Sequence, residues 1–187
     1  MANLETEFTK KIPVDKVSDA QLTYKLTASA EACKKIAQRL GILDIDKFEA
    51  EVSIYKKPDL KAIFVEGKVK GSVKQACILT GAPVAEEIED SFESYFVANE
   101  EKLEKLEEID PAFLYEDVEI LQADHIDLAE LATQYLSLFL DPYPKRAGAD
   151  VTSVKKAGVT IKTEEDFAEE MRQRKNPFNV LKGLKKD

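Results

Sequence analysis

The stretch that decides the fold is VEGKVKGSV, residues 65–73, in which apolar or small residues alternate with charged or polar ones. Counting from Ile63, every second position is apolar or glycine, and Glu66, Lys68 and Lys70 occupy the positions between. A period of two is typical of a strand with one buried and one solvated face. The stretch therefore predicts a long, half-buried β-strand.

The segments on both sides of this stretch repeat the alternation. Upstream, residues 48–54 alternate, and the turn KKPD at 56–59 separates them from the central stretch. Downstream, the turn TGAP at 80–83 leads into a third alternating run. Its two faces consist of Val84, Ile88, Phe92 and Phe96 on one side, and Glu87, Glu89 and Glu93 on the other. Adjacent alternating runs joined by short turns predict antiparallel hairpins, here in a sheet with one apolar and one charged face.

Amphipathic helices are predicted before and after these strands. The first follows Thr27 or Ser29 and ends at Gly41, and its apolar face comprises Cys33, Ile36, Ala37 and Leu40. The second begins at a capping box, residues 127–130, and ends at DPYP, residues 141–144, because a residue before proline avoids helical angles. Its apolar stripe comprises Leu128, Leu131, Ala132, Tyr135, Leu138 and Phe139. We expect this helix to cover the apolar face of the sheet, and a short acidic helix at 99–110 to turn Leu103 and Leu106 inward.

The predicted fold class is α+β, an antiparallel sheet with one face covered by helices, followed by a flexible basic C-terminal tail. Residues 1–144 are expected to form a single α+β domain. Residues 145–163 lack sustained periodicity and predict a linker, residues 163–174 have helix-forming composition, and Asn176-Pro177 breaks that helix. Residues 145–187 are therefore interpreted as a linker and a basic tail.

The charge of the chain is distributed unevenly. The 187 residues carry a net charge of −9, but residues 1–144 hold −13 and residues 145–187 hold +4. Seventeen carboxylates lie between Val84 and Glu130, whereas residues 171–186 contain six cations and no acidic group. Blocks of one sign are typical of interaction surfaces or of solvated faces. Both interpretations of the acidic block are open: a face that keeps the protein soluble, or a surface for a basic partner.

Composition excludes several classes of protein. Two cysteines cannot build a disulfide framework, no basic-then-apolar leader opens the chain, and no apolar run is long enough to span a bilayer. The net charge excludes a simple basic nucleic-acid-binding domain. We therefore expect a soluble, acidic, cytoplasmic protein that does not contact a membrane; the sequence does not specify its oligomeric state.

Candidate catalytic groups are few. His125 is the only histidine, and its place before a helix predicts a surface or capping role. Cys33 is expected in the core, and Cys77, at a strand end, lacks a cysteine partner in its turn, so neither a metal nor a cofactor is expected. The carboxylates of residues 84–130 are too densely charged to suggest a desolvated acid–base pair. The chain is predicted not to be an enzyme; a Mg²⁺-dependent hydrolase that uses these carboxylates is the weaker alternative.

The basic tail is the better functional candidate. Its cations combine phosphate-binding charge with one aromatic side chain that can stack on a base. The candidate RNA-binding residues are Arg172, Arg174, Lys175, Phe178, Lys182, Lys185 and Lys186. Six cations suit a salt-dependent hold on RNA but do not specify a sequence. The alternative is a solubilising end that touches nothing.

Three landmarks of the chain resemble one family. Residues 65–73, followed by CILT at 77–80 and PV at 83–84, are similar to the central signature of the YceD family, the bacterial large ribosomal RNA subunit accumulation proteins. Residues 126–144 resemble that family's carboxyl-terminal helix with its DPYP stop, and NPFNVL at 176–181 resembles its usual close. The residues that match the family's motifs, taken as structural, are Gly67, Gly71, Cys77, Thr80, Asp127, Asp141 and Pro142.

The chain departs from the family at the central turn. Many members carry Cys-x-x-Cys there, whereas the second position here is Thr80. This departure argues against metal or redox chemistry and suggests that the position supplies turn geometry. The resemblance implies a non-enzymatic ribosome-biogenesis factor for the synthesis, processing or stability of 23S ribosomal RNA. Its expected partner is ribosomal RNA or a pre-ribosomal particle, bound directly or through a basic ribosomal protein; the alternative is an acidic adaptor that binds a basic ribosomal protein or processing enzyme and never contacts RNA.

Overall fold

The computed structural model describes residues 7–109, 118–149 and 164–174. Five strands form the main sheet in the order β2-β3-β4-β5-β6. They are β2 (Leu22–Thr27), β3 (Asp44–Lys57), β4 (Ala62–Ala76), β5 (Pro83–Val97) and β6 (Val118–Ile120). The pairings among the first four strands are antiparallel, and the short β6 runs parallel to β5 at the edge. The predicted central strand is β4, which lies between the two long strands predicted beside it.

Two helices cover one face of this sheet. They are α1 (Ala30–Leu40) and α3 (Leu128–Phe139), and their buried side chains join the inward side chains of β3, β4 and β5 in the main core. Ser29 caps α1 by accepting from the Ala32 amide at 3.1 Å, and Gly41 ends it with a φ of +70°. Most of the predicted inward positions of the strands are buried, and Phe48, Val65 and Val69 are completely so, whereas Val84 is only half-buried. The α+β class with one helix-covered face is confirmed.

The apolar stripe of α3 differs from the prediction at one position. Leu138 was expected inward but is 70% exposed, whereas Leu136 is completely buried. A Cβ added at Gly71 on β4 would lie 2.9 Å from Cδ1 of Leu136. The missing side chain at residue 71 therefore lets α3 approach the sheet through Leu136, and Leu138, about 200° further round the helix, faces solvent.

The opposite face of the sheet is charged at its centre but apolar at one end. There Phe64, Tyr95 and Val97 form a second, smaller core with Leu106 of α2 (Glu100–Ile109). The predicted acidic helix at 99–110 is thus present, with Leu106 buried and Leu103 packed beside it. Aromatic residues replace charged ones at these outward positions of the sheet, so this end needs a cover that the centre does not need.

A second, two-stranded sheet ties the N-terminal region to the start of α3. It pairs β1 (Lys11–Pro13) antiparallel with β7 (His125–Asp127). Asp127, the predicted cap of α3, accepts from the amides of Ala129 and Glu130 at 3.2 Å each. Its carboxylate also accepts from the Lys10 amide at 2.7 Å and from the Thr9 hydroxyl. One side chain therefore caps the helix and anchors β1.

The chain divides into two compact units after Arg146. In the second unit the structure describes residues 147–149 and the helix α4 (Glu164–Arg174), which agrees with the helix-forming composition of this segment. Most of the predicted linker, and the tail beyond Arg174, lie outside the described residues. None of the described helices combines the length and the apolar character that a bilayer crossing requires.

Candidate functional site

The turn between β4 and β5 is built around Cys77. The Cys77 amide donates to the Ala82 carbonyl, and the Gly81 amide donates to the Cys77 carbonyl, both at 2.8 Å. Gly81 has a φ of +72°, a conformation that glycine adopts without the strain a Cβ would bring. The hydroxyl oxygen of Thr80 accepts from the Ala82 amide at 3.3 Å. Residues 77–82 therefore form a tight, hydrogen-bonded turn.

The segment that follows α3 lies against this turn. The Ile78 amide donates to the Pro144 carbonyl at 2.9 Å, and the Gln75 side-chain amide donates to the Asp141 carbonyl at 3.0 Å. The Arg146 amide donates to Sγ of Cys77 at 3.4 Å. We call residues 75–82 together with 141–146 the motif junction. It brings together Cys77, Thr80, Asp141 and Pro142, which the sequence placed in two distant motifs.

The Cys77 sulfur is held as a hydrogen-bond acceptor. The amide of Arg146 and the hydroxyl of Thr80 lower the pKa of the Cys77 thiol to about 7, because both donate to the thiolate. The side chain is only 2% exposed, which limits the access of reagents. Thr80, which stands where many relatives have a second cysteine, thus contributes a hydrogen bond to the first. Within residues 7–109, 118–149 and 164–174, no group of three or more acidic, histidine or cysteine side chains is placed to hold a metal ion.

The centre of the opposite sheet face carries charges of both signs. Cross-strand rows such as Lys25–Glu51–Lys68 place lysines beside glutamates, and Lys25 binds Glu51 at 3.3 Å. Glu89 binds both Lys68 and Lys70, which hold the pKa of its carboxyl below the usual range. We call this surface the charged face; its charged residues are Glu49, Glu51, Glu66, Glu87, Glu89, Glu93, Lys25, Lys47, Lys68 and Lys70.

The charged face forms an open depression of about 920 Å³. Its walls include Glu51, Glu66, Glu93, Lys25 and Lys68. Lys68 also pairs with Glu89 of the charged face, and both side chains are about half exposed. The depression therefore offers a charged partner side chains of both signs.

The predicted RNA-binding residues are not brought together by the described structure. Arg172 is exposed on α4, and Arg174 is the last residue of that helix. The other five, Lys175, Phe178, Lys182, Lys185 and Lys186, lie outside the described residues.

The remaining sequence candidates have structural roles. Cys33 is buried in the main core, where desolvation raises the pKa of its thiol. His125 lies on β7, and its Nδ1 is 2.9 Å from the carboxylate of Asp124. His125 therefore lies two residues before the N-cap of α3, and Asp127, not His125, caps the helix.

Comparison with known proteins identifies the family of the chain. Residues 65–185 match the family model described as "Large ribosomal RNA subunit accumulation protein YceD". The chain belongs to the YceD family. No curated protein and no solved structure matches it. The family's description names the accumulation of a ribosomal RNA and no reaction.

The YceD match contains the motif junction, β5, α3 and α4, whereas β2, α1 and all of β3 precede it. Sequence reasoning missed β2, which supplies Lys25 to the charged face. Gln21, which directly precedes β2, donates to the Glu66 carboxylate at 2.9 Å. The alternation of Leu22, Tyr24 and Leu26 was the available signal.

Proposed function

We propose that this YceD-family protein is a non-enzymatic cytoplasmic factor that supports the synthesis, processing or stability of 23S ribosomal RNA. The match of residues 65–185 to the family model carries this proposal. Glu89 of the charged face, half exposed and paired with Lys68 and Lys70, supports a binding role rather than a hydrolytic one.

The test of the function is depletion of the protein from its own host. We expect 23S ribosomal RNA to fall relative to 16S, and re-expression of the full chain to restore the ratio. An unchanged ratio after depletion contradicts the function itself. Incubation of the purified protein with a 23S precursor is expected to leave the RNA intact; cleavage that is lost on mutating carboxylates within residues 84–130 would instead establish an enzyme.

The tail is proposed to contact RNA through Arg172, Arg174, Lys175, Phe178, Lys182, Lys185 and Lys186. The exposure of Arg172 and the six cations with no acidic neighbour in residues 171–186 support this role. Neutralising three cations removes up to three phosphate contacts, which reduces the slope of log affinity against log salt by roughly 2 for single-stranded RNA. The tail variant is Arg172→Gln, Arg174→Gln and Lys175→Gln.

The control variant removes the same charge from the surface of the first unit. It is Lys11→Gln, Lys16→Gln and Lys34→Gln, three exposed positions. We expect the tail variant to sediment less with large-subunit precursors and the control variant to sediment like the wild type. Equal sedimentation of both variants with the precursors would show that the tail does not carry the contact.

The charged face favours a second candidate, an adaptor for a basic ribosomal protein or processing enzyme. Its glutamates outnumber its lysines by six to four among the residues named above, and the first turn of α2 adds Glu100 and Glu101. Complementary charge speeds encounter with a basic partner. Capture of such partners after nuclease treatment, and their loss in Glu66→Gln/Glu93→Gln, would favour the adaptor. Partners that disappear with the RNA would favour direct RNA contact.

A further inference from the structure

An exposed apolar patch lies at the motif junction. Ile78 in the turn is 50% exposed, and Tyr143 in the segment beside it is 68% exposed. The two side chains belong to neighbouring backbone segments, which are joined by the hydrogen bond from the Ile78 amide to the Pro144 carbonyl. Neither side chain contributes to the cores of the sheet. The two exposed side chains therefore offer apolar area to a ligand on neighbouring segments of the motif junction.

Two cations, Lys145 and Arg146, follow Tyr143 after Pro144. Lys145 and Arg146 are exposed, and neither forms an ion pair with another described residue. Many lysines of the charged face, by contrast, are neutralised by neighbouring glutamates. The acidic side chain of the segment is Asp141, and its Oδ1 is engaged as an acceptor for the Tyr143 amide at 2.8 Å. The patch therefore joins an aromatic ring to positive charge on a chain that is acidic overall.

The backbone that carries these side chains is fixed. Pro144, between Tyr143 and the two cations, is buried, and its carbonyl accepts from the Ile78 amide. The Arg146 amide donates to Sγ of Cys77. A surface whose backbone is already ordered loses less conformational entropy on binding. The hydrogen bonds of the turn thus order the backbone that carries Tyr143, Lys145 and Arg146 before a ligand binds.

We propose that Ile78, Tyr143, Lys145 and Arg146 bind single-stranded RNA, with a base stacked on the Tyr143 ring and phosphates at the two cations. The proposal rests on the proposed function and names a contact separate from the tail. A base can stack on the exposed ring, and a phosphate complements the two cations, which have no ion-pair partner among the described residues. A basic protein fits this patch poorly, because Lys145 and Arg146 would repel it; such a partner suits the charged face instead.

Fluorescence anisotropy with a labelled single-stranded RNA of about ten nucleotides tests the patch on the full chain. Replacing Tyr143 by Ala removes the stacking ring and is expected to weaken binding by roughly 5-fold or more, whereas Tyr143→Phe keeps the ring and the affinity. The variant Lys145→Gln/Arg146→Gln is expected to reduce the slope of log affinity against log salt by roughly 1.4, from two lost phosphate contacts. Thermal unfolding checks that each variant is folded, which the exposure of these side chains leads us to expect.

Equal affinities of the Ala and Phe variants at position 143 would overturn the proposal. Ultraviolet cross-linking of the wild type to the same RNA gives an independent readout: an adduct on the peptide that contains Tyr143 supports the patch, and adducts confined to residues 172–186 overturn it. Loss of a protein partner from Tyr143→Ala, with RNA affinity unchanged, would assign the patch to protein binding and also overturn it. None of these outcomes touches the proposed function, which fails separately if depletion leaves 23S ribosomal RNA unchanged.

Discussion

Gly67 on β4 lies opposite Phe92 on β5, and the Phe92 ring occupies the space that a side chain at residue 67 would need. A Cβ at Gly67 would lie 2.6 Å from two atoms of that ring. The ring in turn stacks on Tyr135 of α3, with centroids 4.1 Å apart and planes 12° from parallel. The family-motif glycine therefore makes room for the aromatic pair that joins the sheet to its covering helix.

Gly67→Ala is expected to destabilise the fold. The added methyl must displace Phe92, which is 4% exposed and held between β4 and Tyr135, so overpacking is expected to cost about 1–3 kcal/mol of unfolding free energy. Urea unfolding measures this cost. In a Phe92→Leu background, where the ring is absent, the same substitution is expected to cost less. Equal costs in the two backgrounds would show that the ring is not the obstacle.

Asp127→Ala is expected to destabilise both the start of α3 and the attachment of β1. The carboxylate accepts from two helix amides and from the Lys10 amide, so its loss is expected to cost about 2 kcal/mol, the upper end of the range for caps. Ser29→Ala is the matched control, because Ser29 caps α1 through one amide, with an expected cost of about 1 kcal/mol. Urea unfolding compares the two variants, and amide exchange at Lys10 should accelerate only in Asp127→Ala. Equal costs and a protected Lys10 amide would contradict the double role.

The main sheet and its helices were predictable because their signals are local and repeated. The alternation of residues 63–73 indicates which side chains of β4 are buried. Gly41 ends α1 because glycine adopts a positive φ, and Asp127 begins α3 because its carboxylate accepts from the first-turn amides. The small sheet was not predictable in this way. Three-residue strands such as β1 and β7 show no periodicity, and their pairing depends on the contact between Asp127 and Lys10, which are far apart in sequence.

The candidate site was predictable only in part. The motifs identified Cys77 and Asp141 separately, but nothing in either motif indicates that the Arg146 amide reaches the sulfur. The exposure of Leu138 was likewise hidden, because helical spacing is compatible with an apolar stripe that contains either Leu136 or Leu138, and the absent side chain of Gly71 decides between them. Contacts between distant segments set these features.

Arg39 and Glu130 are expected to stabilise the packing of α1 beside α3. The guanidinium donates three hydrogen bonds to the carboxylate, at 2.9, 3.1 and 3.1 Å, and the side chains are 35% and 21% exposed. A double-mutant cycle with Arg39→Ala and Glu130→Ala is expected to give a coupling of about 1 kcal/mol in urea unfolding. The exposed pair Lys35–Glu31 within α1 is the control, with an expected coupling of about 0.3–0.5 kcal/mol. A coupling for Arg39 and Glu130 no larger than that of the control would show that solvent screens the interhelical pair.

Cys77 is expected to make stability depend on pH at alkaline values. The pKa of its thiol is lowered to about 7 in the folded protein, against about 8.5 for an ordinary cysteine. Because the folded-state pKa is the lower one, the thiolate's contribution is complete above about pH 8.5 and is lost as the pH falls through about 7. The unfolding free energy of the wild type minus that of Cys77→Ser should therefore rise across this window. Cys33 is present in both proteins, so its own titration cancels in the difference.

Thr80→Val tests whether the hydrogen bond from Thr80 lowers the pKa of the Cys77 thiol, because it removes that donor and keeps the sulfur. The valine cannot donate to Sγ of Cys77, so the pKa of the thiol in the folded protein should rise, and the pH window of rising stability should narrow because its lower end moves up. The ultraviolet absorbance of the thiolate, followed in a Cys33→Ser background, reports the same midpoint without unfolding the protein. A midpoint that stays at the ordinary thiol value in the wild type, or that Thr80→Val leaves unmoved, would show that the turn does not hold the sulfur as a thiolate.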